Sequence, residues 1–220
     1  MERRDFLSRL GSSISCDEPQ QNTLVQSDLP EGQVLAARER VDLFICRLNE
    51  LGVEARVVSS REDARDALER LVSERAWSGV ACAPGLRWPG ISEKWTAEAG
   101  EAPFGLCEAD WAVAETGTIV VRSSAEVRRG YSLLPPAVGF FVPERCIFST
   151  VGDVLDELAA GDPALPSCIS FISGPSNTAD IASVRVVGVH GPREVFAWVI
   201  AEAVDDAVDH GCMRHEAQDR

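Results

Sequence analysis

The sequence predicts an α/β protein with a mixed, mainly parallel sheet flanked by helices. Three observations point there. In the first half, strand-like runs alternate with stretches of helical apolar period, the pattern of parallel strands joined by helices. Between Trp111 and Ser149, short apolar runs follow one another closely, as antiparallel strands do. The composition, 45% hydrophobic and 25% charged over 220 residues, provides a core of ordinary size.

Residues 1–32 read as an N-terminal arm, with a short helical start at Asp5–Leu10 followed by a polar stretch. From Gln33 the pattern is helical: Val34, Ala37, Val41, Phe44, Leu48 and Leu51 recur at spacings of three and four, and Gly52 is placed to close the helix. EARVVS (54–59) reads as a strand. Ser60 then caps a second helix, with Ala64, Ala67, Leu68, Leu71 and Val72 on one face. GVACAP (79–84) reads as a buried strand. From Pro84 to Asp110 there is little periodicity, and Trp88 and Trp95 among Pro and Gly indicate a structured loop. WAVAE and TIVVRS are strands joined at Thr116-Gly117. A polar loop with Arg128 and Arg129 leads to the strands AVGFFVP (137–143) and CIFST (146–150). Asp153–Ala160 is helical. CISFIS is a strand, followed by a short helix near Thr178–Ile181, the strand VRVVGVH, and EVFAWVIAEAV, which fits either a strand or a helix. Residues 33–203 thus form one α/β domain, and 204–220 a polar tail.

Charge and cysteine usage exclude several function classes. A net charge of −14 repels nucleic acid and anionic membranes. Lys94 is the sole lysine, in the irregular loop, which disfavours Schiff-base chemistry. Cys16, Cys46, Cys82, Cys107, Cys146, Cys168 and Cys212 are scattered singly with no CxxC pair, so the expectation is reduced thiols in a cytoplasmic protein, with no metal site and no cluster of its own. MERRDFLSRL lacks the apolar core of a signal peptide, and no apolar run approaches the ~18 residues of a membrane span.

Four stretches could carry chemistry. SGPSNTADI places Ser173, Gly174, Ser176, Thr178 and Asp180 where a strand is expected to open a helix, a cradle of N–H groups and hydroxyls for a carboxylate or phosphate. One cap would explain only one of these residues. AETGT sets Glu115 at a strand end beside Thr116, Gly117 and Thr118, which suits a general base or a solvated turn. GVHGPRE holds His190 and Gly191 in a strand-end loop, where the imidazole could move a proton or simply be satisfied structurally. In RRGYSLLPP, Arg128 and Arg129 could clamp an anion beside Ser132, or be solvated.

AETGT, SLLPP, SGPSNTADI and GVHGP, in this order and spacing, resemble the LUD-domain family over roughly Ala109 to Ile200. The resemblance implies a fold like the ribose-phosphate isomerase and CoA transferase superfamily. It also implies a bacterial role in oxidation of L-lactate to pyruvate with partner subunits that carry iron–sulfur clusters, this chain binding none. Carried over, the family's site falls on Glu115, Asp180 and His190 as catalytic candidates. Thr116, Gly117, Ser132, Ser173, Gly174, Ser176, Thr178 and Gly191 are expected by the same resemblance to bind a small anionic metabolite, joined by Arg128 and Arg129, which the RRGYSLLPP stretch itself suggests. Asn177 stands where a basic residue is common, and Gly139-Phe140-Phe141 replaces a His-Ile pair. The alternatives are a self-sufficient isomerase- or CoA transferase-like enzyme acting on a phosphate or carboxylate, and a non-catalytic interaction subunit.

Overall fold

In the computed structural model the described residues are 35–83, 86, 98–124, 128–160, 166–179, 185–187 and 191–201, with backbone alone for 178–179 and 185–187. The expected arm and tail, Lys94, Trp88 and Trp95 lie outside them.

Helix α1 (Ala37–Glu50) buries Val41, Phe44 and Leu48, the stripe its sequence spacing announces. It closes with the Gly52 N–H on the Asn49 carbonyl and the Val53 N–H on that of Leu48, both at 3.0 Å. Strand β1 (Glu54–Val58) follows. Ser60 caps helix α2 (Arg61–Glu74), its hydroxyl accepting from the Asp63 N–H at 3.1 Å. Next come β2 (Val80–Cys82), β3 (Phe104–Glu108), β4 (Trp111–Val113), β5 (Thr118–Arg122) and the one-turn helix α3 (Gly130–Leu133). The remainder is β6 (Ala137–Pro143), β7 (Ile147–Phe148), α4 (Val151–Ala160), β8 (Ile169–Ile172), β9 (Asn177–Ala179), β10 (Arg185–Val187) and β11 (Glu194–Ile200).

Five strands make an all-parallel sheet in the order β1-β11-β6-β3-β2. The class is therefore α/β with a mainly parallel sheet flanked by helices, as the sequence indicates. A second sheet of order β7-β4-β5-β8 pairs β5 antiparallel with β4 and β8 but β4 parallel with β7. Of the closely spaced runs between Trp111 and Ser149, expected to be antiparallel, only β4 and β5 pair that way, and β6 joins the parallel sheet.

Both faces of the parallel sheet are covered. Along β11, Val195, Ala197 and Val199 join Phe44 and Leu48 of α1 and Ala112, Ile119 and Val121 of the second sheet. Phe196, Trp198 and Ile200 point the other way, onto Ala64, Leu68 and Leu71 of α2. The outer face of the second sheet (Trp111, Val113, Val120) is covered by Val154 of α4.

Three readings need correction. Residues 104–108, expected to be loop, form β3, paired on both sides within the parallel sheet. FGLCE is buried on both faces over Phe104–Cys107, so it shows no alternation to read. The ambiguous EVFAWVIAEAV is a strand over Glu194–Ile200. The helix expected near Thr178–Ile181 is absent from its described part: Thr178 and Ala179 belong to β9, which forms an antiparallel hairpin with β10. Cross-strand pairing with Arg185–Val187 satisfies a backbone that the local capping residues only suggested could coil.

Burial pushes the Cys107 thiol up to about 12, with Cys82 and Asp110 adding to the effect, and burial alone does the same to Cys82. A raised folded-state pKa stabilises fully below the unfolded value of 9.0 and loses that contribution as pH rises towards 12. Stability should accordingly fall between pH 9 and 12, by up to about 1.4 kcal/mol per pH unit from Cys107. Urea midpoints across that range check this, and Cys107→Ala should flatten the slope.

Candidate functional site

The second sheet returns the chain twice to the end of α1, and a glycine permits each approach. Gly117, at φ +60°, turns β4 into β5; a Cβ there would lie 2.8 Å from the Arg47 Cβ and 2.9 Å from the Leu48 amide nitrogen. Gly174, at φ +94°, ends β8, and its Cβ would lie 2.9 Å from the Leu51 carbonyl oxygen. Between the two turns runs a chain of hydroxyls. Thr116 Oγ1 is 2.7 Å from Thr118 Oγ1, which is 2.7 Å from Ser173 Oγ. Thr118 is buried, whereas Thr116 and Ser173 are exposed. Three hydroxyls linked by two hydrogen bonds leave one O–H free to donate outward.

The Ser173–Ser176 turn then meets the loop before β11. The Ser176 N–H donates to the Pro192 carbonyl at 2.8 Å, and a Cβ on Gly191 would lie 3.3 Å from Ser176 Oγ. One residue on, the Arg193 N–H donates to the Pro136 carbonyl at 2.7 Å, which attaches the Leu133–Pro136 loop. Three of the four stretches singled out in the sequence therefore join directly, and AETGT adjoins them through Thr118 and Ser173. They meet where chain enters β1, β6 and β11, at the N-terminal edge of the parallel sheet. Ligands of open parallel sheets usually gather at the opposite edge. Here the antiparallel strands β4, β5 and β8 of the second sheet deliver residues 116–118 and 173–176 to the entry side.

Other candidates are engaged elsewhere. Glu115 Oε1 accepts from the Val151 N–H at 3.0 Å, so this carboxylate caps α4 and meets its positive end. Thr150 and Asp153 complete that cap reciprocally, at 2.8 and 3.2 Å. Ser132 is buried, and its hydroxyl donates to the Arg129 carbonyl at 3.1 Å within the α3 turn. Arg128 and Arg129 are exposed at the start of α3, and their carbonyls hold that turn. Of Thr178 only the backbone is described, paired with Val186. Asp180 and His190 lie outside the described residues. The helix N-terminus expected at Ser176–Thr178 is replaced by a strand from Asn177, so the donors here are side-chain hydroxyls rather than a helix dipole.

Sequence reading named Thr118 only as a neighbour of Glu115 and did not single out Arg193. Thr118 is the central hydroxyl, signalled only by its place across the turn from Thr116. Arg193 follows Gly191-Pro192 directly, and its position emerges only from the pairing with Pro136. Among the described residues no helix is long and apolar enough to cross a membrane.

Comparison with known proteins agrees with this fold. The LUD domain model matches residues 81–200, covering β3 to β11 and every stretch just described. The chain is 31% identical over 190 residues to the uncharacterized protein YkgG of Escherichia coli, covering 76% of this chain and 82% of that one. It is 44% identical over 113 residues to a lactate utilization protein C of Halalkalibacterium halodurans, covering 50% of this chain and 49% of that protein. It is 38% identical over 120 residues to that of Bacillus subtilis, covering half of each. The chain thus spans about half the length of these last two relatives. A crystal structure of a DUF162 family protein from Deinococcus radiodurans superposes with a TM-score of 0.57 at 25% identity, covering 76% of this chain and 99% of that one. From the domain match, the alignment with YkgG and the shared fold, this chain is a member of the LUD domain family.

Proposed function

We propose that this chain serves L-lactate utilization, the oxidation of L-lactate to pyruvate, by binding a small 2-hydroxy or 2-oxo acid. The site is the junction of Thr116, Thr118, Ser173, Ser176 and Gly191. In this reading partner subunits with iron–sulfur clusters remove the electrons, and this chain contributes binding and orientation. The observation that carries it is the direct joining of the Ser173–Ser176 turn to the Gly191–Arg193 loop and the Leu133–Pro136 loop. That gathers the hydroxyls of Thr116, Thr118, Ser173 and Ser176, groups of the kind that recognise a carboxylate and its neighbouring oxygen. The relatives named lactate utilization protein C support the choice of acid. The engagement of Glu115 at α4 supports a binding role over covalent chemistry by this chain alone.

Calorimetry with L-lactate and pyruvate tests the site. Binding in the micromolar to millimolar range is expected, of the order of −4 to −8 kcal/mol. Ser176→Ala should weaken it several-fold. In parallel, L-lactate-dependent dye reduction by the iron–sulfur partners should require this chain. If neither acid binds and dye reduction proceeds equally without the chain, the reading is wrong.

A further inference from the structure

The chain carries 35 acidic side chains against 21 basic ones, so its arginines are commonly met by a carboxylate. Arg47 pairs with Glu50 at 3.0 Å, Arg75 with Glu194 at 2.8 Å, and Arg122 with Asp110 at 3.0 Å. Arg193 is exposed and has no such partner among the described residues. Sheet alternation explains why even its neighbour does not serve. Glu194 falls on the same face of β11 as Phe196 and Trp198, and Arg75 takes it there, with its guanidinium carbon 5.9 Å from the Phe196 ring centre. Arg193 lies in the bend before β11, outside that alternation, where its N–H is held by Pro136.

Its main chain is held on both sides. The Arg193 N–H is fixed to Pro136, and the carbonyl of the preceding Pro192 takes the Ser176 N–H. Ser176 Oγ adjoins Gly191 and makes no hydrogen bond within the described residues. A guanidinium and a hydroxyl without a partner among the described residues are therefore carried by two segments joined by a backbone hydrogen bond. A guanidinium offers parallel N–H donors that match both oxygens of a carboxylate, which an ammonium does not.

We propose that Arg193 is the guanidinium that grips the ligand carboxylate at this junction, with the Ser176 hydroxyl beside it. Arg128 and Arg129, the cations the sequence suggests, lack any bond to the Ser173–Ser176 turn, whereas Arg193 sits one residue from it. The assignment rests on the ligand reading above and settles which residue gives the site its preference for an anion.

Arg193→Gln keeps the backbone amide, and with it the bond to Pro136, so folding should be unaffected and circular dichroism can verify it. Calorimetry of the full chain with L-lactate, pyruvate, acetate and the neutral analogue lactamide should show wild-type carboxylate affinity reduced about tenfold or more in Arg193→Gln. Arg193→Lys should restore it only in part, and lactamide should bind both forms alike. Carboxylate affinity unchanged in Arg193→Gln overturns the proposal, as does an equal loss for lactamide. If wild type takes acetate but neither lactate nor pyruvate, and Arg193→Gln loses acetate, the lactate reading fails and Arg193 stands. Failure of all the carboxylates to bind wild type overturns both.

Discussion

Gly105→Ala should destabilise the domain by about 1–3 kcal/mol, the usual cost of forcing a methyl into a packed core. A Cβ at residue 105 would overlap the Tyr131 carbonyl oxygen and approach Pro135 Cγ to 2.9 Å. The first obstacle is backbone, so no rotamer change relieves it and α3 must lift from β3. That movement pulls on Pro135 and Pro136, and Pro136 holds the Arg193 amide. The variant should therefore lose ligand affinity as well as stability, although residue 105 belongs to a buried strand and touches no ligand. Urea unfolding gives the first effect as a lowered midpoint at unchanged slope, and calorimetry gives the second. A midpoint equal to wild type would show that α3 does not press on the strand.

Trp198→Ala should cost about 3–5 kcal/mol, the range for deleting a large buried aromatic. Trp198 is 1% exposed at the centre of the α2 face, its ring centre 5.6 Å from that of Phe141 and 6.3 Å from that of Phe196. Gly139 makes the slot for it: a Cβ there would lie 2.6 Å from both the Trp198 ring and the Phe104 ring. Of the Gly-Phe-Phe run, Gly139 and Phe141 thus belong to the packing of this face, and Phe140 to the opposite one. Trp198→Phe is the informative control. The buried indole N–H has no acceptor among the described residues, so the Phe variant loses volume but no hydrogen bond seen there and should cost much less. Thermal melts of the two variants measure this, and a Phe variant as unstable as the Ala variant would mean that the indole N–H is satisfied in solution.

Helices α1 and α2 were legible in the sequence by their apolar stripes and closing residues, and Ser60 by its place before an acidic first turn, because these signals operate within a few residues. Strand β6 was readable from Ala137 to Pro143, and the Thr116-Gly117 turn from its flanking apolar runs. The four stretches that resemble the LUD domain could be picked out as a set, and the domain match covers them all.

Tertiary structure alone decided the rest, because strand pairing joins residues far apart in the chain. FGLCE becomes β3 through β2 and β6 on either side, and EVFAWVI becomes a strand through β1 and β6. SNTAD could cap a helix by local chemistry, but Asn177–Ala179 pairs with Val187–Arg185 instead. That Glu194 pairs with Arg75 cannot be read from GPRE, since it depends on which side of β11 receives α2. Local propensity decides where the chain can turn and coil. Which face each side chain meets is decided by the neighbour on the other side of the sheet.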